Sequence, residues 1–167
     1  MKKILFIIAG LLLITNLNAQ TQEELAASQK RIEKLQGLIA KTPESVNLTN
    51  IDNLARRATP IGKETIEITT ELQALHEALK GAELPTIETC KALYNRIEEQ
   101  AKAIRDASEK IDDAAAEVKK VKLTAAAKAT KSLNYSKDVL GTSGTESAYQ
   151  VKTIALIMDT VKTGLGL

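Results

Sequence analysis

The chain has 167 residues, 44% hydrophobic but only 2% aromatic, and its 23 basic and 21 acidic residues give a formal charge of +2. With no Trp, one Phe and three Tyr, it lacks the aromatic platforms on which bases or sugar rings stack, so its core must be built from Leu, Ile, Val and Ala. A single Cys and a single His exclude an internal disulfide and any metal centre made from a Cys/His cluster.

Residues 1–19 read as a secretory leader: Lys2 and Lys3, an apolar run from Ile4 to Ile14, then Leu17-Asn18-Ala19 as the cleavage site. The run falls short of the roughly 20 residues that cross a bilayer, so cleavage is expected rather than anchoring. No Cys follows it to take a lipid. The chain is therefore expected to be exported, periplasmic or secreted, and the short leader suits a bacterium. Removing 19 of the 167 residues leaves 148, one domain over 20–167, in which 21 bases balance 21 acids.

From there, apolar residues recur at helical spacing. Thr21-Gln22-Glu23-Glu24 forms a capping box that opens a helix over 21–41. Leu25, Ser28, Ile32, Leu35 and Ile39 make its stripe, and Pro43 closes it. The second helix, 47–80, carries the clearest pattern. Ile51, Leu54, Ala58, Ile61, Thr65, Ile68, Leu72, Leu75 and Leu79 alternate steps of three and four, the repeat of one continuous seam. Beside it Ala55, Gly62 and Thr69 are small enough for a second neighbour to approach. Asn47 or Thr49 is placed to cap this helix and Gly81 to end it, while Pro60 should kink it.

A third helix is expected over 86–140, with Cys90, Ile97, Ile104, Ile111 and Val118 repeating every seven residues. At Lys122 this column fails, and Val121, Ala125, Ala129, Leu133 and Leu140 continue on a shifted face. Gly141 and Gly144 read as the end of the helix, with Ser143 and Glu146 as the capping box of a fourth over 143–163. The fold expected is all-α. It is an antiparallel bundle of four helices with coiled-coil-like seams, or of five if the third breaks near Leu123 or Asn134. An unbroken third helix would measure about 82 Å, so the elongated arrangement is favoured.

Few constellations suggest chemistry. His76 flanks the second seam with Gln73, Leu72, Leu79 and Lys80 as its helical neighbours, which makes it structural rather than a ligand or a base. Cys90 lies on a seam, where a small thiol is buried. The acids of the third helix alternate with bases four residues away, as on a solvated face. From Val118 to Lys137 there is no acid, and Lys119, Lys120, Lys122, Lys128 and Lys131 form a candidate anion-contact patch for membrane head groups or surface polymer. The function expected is non-enzymatic: a structural or protein-interaction role in the bacterial envelope or outside the cell. Its partner would be an unknown protein or a second copy, with no cofactor, metal or nucleic acid. The rival is a membrane-active helical protein, lipid-binding or pore-forming, although its best inserting segment, 153–158, is only six residues long. A metal- or His-dependent enzyme ranks behind both.

Overall fold

The structure, a computed structural model, describes residues 22–81 and 84–166. The expected leader and the Thr21 capping box lie outside them. The described chain is all-helical: α1 (22–39), α2 (Thr49–Ala78), α3 (Ile87–Ser108), α4 (Ile111–Val118) and α5 (Leu123–Leu165).

Side-chain pairs fix the directions. Tyr135 of α5 meets Thr59 of α2, and Glu146 meets Thr69, so these two helices ascend together. Arg31 of α1 meets Glu146, whereas Thr42 beyond its end meets Tyr135, so α1 descends. Gln100 of α3 bonds near Thr65, and Glu117 of α4 bonds near Asn50, so α3 and α4 descend in sequence. The result is a bundle of four rods in alternating directions, the third made of α3 and α4. Among α2 to α5, the pairing of α2 with α5 is the most extensive.

Close approach of α2 to α5 depends on small residues. A Cβ at Gly62 would sit 2.9 Å from Val139 Cγ1 and 3.2 Å from Ile39 Cδ1, so any larger residue would displace side chains where α1, α2 and α5 converge. The expected α2 seam is buried from Ile51 to Leu72, and the small column Ala55, Gly62, Thr69 continues in register to a buried His76.

Two apolar clusters form the core. One gathers Leu35, Ile51, Leu54, Ile104, Leu133 and Leu140. The other gathers Ile68, Leu72, Cys90, Ile97, Ile154 and Ile157. Each such aliphatic side chain contributes about 1.5–3 kcal/mol through burial.

Three boundaries differ from the sequence reading. The expected third helix is interrupted at Glu109–Lys110, where φ and ψ stay in the right-handed region and α4 carries on along the same cluster. It ends at Lys119–Lys122 rather than running to residue 140, as in the alternative with a break near Leu123: Lys122 turns extended (φ −61°, ψ 148°) and the chain reverses. The reversal expected at Gly141–Gly144 does not occur, because α5 is continuous for 43 residues, about 64 Å. A buried row through Leu140, Ser143, Glu146 and Ser147 outweighs the roughly 1 kcal/mol that each helical glycine costs. Pro60 is exposed and α2 is unbroken around it.

The caps differ as well. The N-cap of α2 is Leu48, which has no side-chain bond. Asp52 of its first turn accepts from Val46 and Leu48 just ahead of the helix, and the free amides of Asn50 and Ile51 are met from α4, by Glu117 Oε2. One carboxylate on α4 thus does for α2 what a local cap ordinarily does. Thr86 caps α3 by accepting from Thr89 N at 3.1 Å.

Candidate functional site

A polar layer separates the two apolar clusters. α5 supplies Glu146, fully buried, together with Gln150 one turn on. Ser28 Oγ of α1 and Thr69 Oγ1 of α2 donate to Glu146 Oε1 at 2.6 and 2.9 Å. Arg31 Nε of α1 donates to Oε2 at 2.6 Å and closes an ion pair. The Arg31 guanidinium also stands 5.6 Å from the centre of the Tyr149 ring, within cation–π range. Gln150 Nε2 donates to Thr65 O and Thr69 Oγ1, and Gln100 Nε2 to Ile61 O and Thr65 Oγ1. Gln100 Oε1, Gln150 Oε1, Ser132 Oγ and Ser143 Oγ are buried without a partner among the described residues.

Chemically the layer is an anion held by donors on three helices. Both oxygens of Glu146 are occupied and the group is closed to solvent, so its side chain ties α1, α2 and α5 together. The sequence reading placed Glu146 and Ser143 at a helix start, whereas both lie buried in mid-helix. A signal was present: Ser28 and Thr65 break otherwise aliphatic seams, and both fall in this layer.

Two of the groups weighed for chemistry in the sequence, Cys90 and His76, are buried. Cys90 is fully buried, and burial pushes its thiol above the ordinary value, which suppresses the reactive thiolate. His76 is held below its ordinary pKa, first by burial and then by Lys80, with Glu77 opposing. Among the described residues no group of three or more His, Cys, Asp or Glu is placed to hold a metal ion. Arg96 of α3 bridges Glu64 and Glu71 of α2 at 2.8 and 2.6 Å, which raises its already high pKa. On the acidic face of α3, Lys102 and Asp106 pair at 2.6 Å.

All five lysines of the expected patch are exposed. Lys119 and Lys120 follow α4, Lys122 precedes α5, and Lys128 and Lys131 lie on its first turns. Across from the last two, Lys41 completes a cleft of about 360 Å³ that also takes in Glu44 and Ser45. A neighbouring depression of about 410 Å³, lined by Asp52, Asn53 and Arg56, lies on the other side of the same loop. The sequence alone could not place Lys41 here, because 87 residues separate it from Lys128. Among the described residues no helix is long and apolar enough to cross a membrane. Compared with protein-family models, curated proteins and solved structures, the chain matches none.

Proposed function

We propose that this protein is an exported, non-enzymatic helical bundle that serves as a structural or interaction module in the bacterial envelope or outside the cell. The observation that carries the reading is the Glu146 layer. The one fully buried carboxylate among the described residues ties α1 to α2 and α5 through Ser28, Thr69 and Arg31, so interior polarity serves the fold. Free charge is left to the outer faces of the rods, where it is available to a partner. The leader-like residues 1–19 support export.

The reading is tested by expressing the chain with its own first residues in a bacterial host. It is expected in the periplasm or medium with Gln20 as its first residue. Cross-linking of intact cells with a lysine-reactive reagent is expected to join its exposed helix lysines to an envelope component or to a second copy. Retention in the cytoplasm with residues 1–19 attached would contradict export. An exported chain that gives no adduct would contradict the interaction role.

A further inference from the structure

We propose that the turn between α4 and α5 is a membrane-docking tip. Leu123 enters the interface of an anionic lipid bilayer, and Lys119, Lys120 and Lys122 hold the head groups around it.

The sequence gives the lysines, but it does not reveal what they surround. Leu123 is 91% exposed, far more than Leu84, Leu156 or Leu165, the other exposed large apolar residues among those described. It is the first residue of α5, directly after Lys122. The helix is exposed from Leu123 to Lys128 except at half-buried Ala126, and Ala129 is its first buried residue. The opening turn and a half of α5 therefore projects past the core. It carries one leucine and a run of alanines, with lysines before and behind.

The local charge is unbalanced. Among the described residues none of Lys41, Lys119, Lys120, Lys122, Lys128 and Lys131 has an ion-pair partner. The acid nearest in sequence to Lys119, Lys120 and Lys122, Glu117, is turned onto the Asn50 and Ile51 amides. Glu44, on the rim of the Lys41–Lys128–Lys131 cleft, is the one acid lining it.

Two independent features thus point to one partner. Unpaired lysines select an anionic surface. A solvent-exposed leucine among them is matched by a surface with an apolar layer beneath its charges, since the long lysine stems let the ammonium groups stay at head-group level while the leucine goes deeper. A soluble polyanion satisfies the lysines and leaves the leucine in water. The anionic bilayer surface satisfies both. This deepens the reading above by naming what the contact surface meets. A failure here removes the lipid partner without affecting export or protein cross-links.

The test uses the full chain and vesicles of phosphatidylglycerol with phosphatidylethanolamine, with phosphatidylcholine vesicles as the neutral arm. Because the chain has no Trp, Leu123→Trp provides a unique fluorophore at the tip. The expected results are flotation with the anionic vesicles, little with the neutral ones, and a blue shift of Trp emission only with the anionic ones. Replacing Lys119, Lys120 and Lys122 together by Ala should weaken binding on the order of a hundred-fold. Leu123→Ser should weaken it roughly ten-fold. All four positions are exposed, and unchanged thermal melts would show that the variants fold. Absence of binding to anionic vesicles overturns the proposal. So does binding that neither set of variants changes, which would place the contact elsewhere, residues 1–19 included. An unshifted Trp with binding lost to soluble polyphosphate would reassign the lysines to a polyanion and also overturn it.

Discussion

Glu146 brings a negative charge between two apolar clusters, and Arg31 makes this tolerable. A buried carboxylate deprived of its cation is costly, because desolvation is no longer offset by a partner. Arg31→Ala is therefore expected to cost about 3 kcal/mol of stability. Glu24→Ala, which breaks the exposed Lys152–Glu24 pair 2.9 Å long, should cost under about 1 kcal/mol. Urea titrations of the two variants check the contrast, and equal small losses would mean that Glu146 is not closed to water. His76 makes a second residue-level prediction. Its folded pKa lies below the ordinary histidine value of 6.5, so between those values the unfolded chain binds more protons. The stability supplied by neutral His76 is complete above pH 6.5 and falls as the pH drops from there through the lowered folded value. The urea midpoint should decline on acidification in this window. His76→Gln should remove that decline, and an unchanged slope in the variant would assign it to other groups.

At the scale of the helix, the seams were legible and the reversals were not. The α2 stripe, the seam position of Cys90 and the face shift at Lys122 all follow from the spacing of apolar residues. The shift at Lys122 marks the true turn, but the segment Lys119-Lys-Val-Lys122 contains no Gly, Pro, Asn or Asp to announce one. Gly141-Thr-Ser-Gly144 has the composition of a turn, yet remains helical because the residues around it are buried against α2. Tertiary burial overrode local propensity there. The Glu146 site was hidden by the same misplacement, since a glutamate three residues after a serine satisfies the capping pattern whether or not a helix begins. Arg31 and Thr69 join it only through the fold. The glycines test this directly. A Cβ at Gly141 meets nothing within 4 Å, and at Gly144 it meets only Ile104 Cγ2 at 3.8 Å. Replacing both by Ala should raise stability by about 1–2 kcal/mol, read as a higher thermal midpoint. A loss of stability would indicate that these positions form a turn.

At the scale of the molecule, α5 is the spine. It projects past the core at Leu123, carries the anchor at Glu146, and packs Ile154, Ile157 and Val161 into the second cluster. Because α2 ascends beside it, the short α4 brings Glu117 to the start of α2 and leaves the lysine-rich tip free at that end. The distance between the exposed ends of α5 tests this architecture most directly. Spin labels at Lys128→Cys and Lys162→Cys, in a Cys90→Ala background, can be read by pulsed electron double resonance. A continuous helix predicts a separation of about 51 Å. A chain that folds back at Gly141–Gly144 would bring the labels within about 25 Å, and that result would contradict the account.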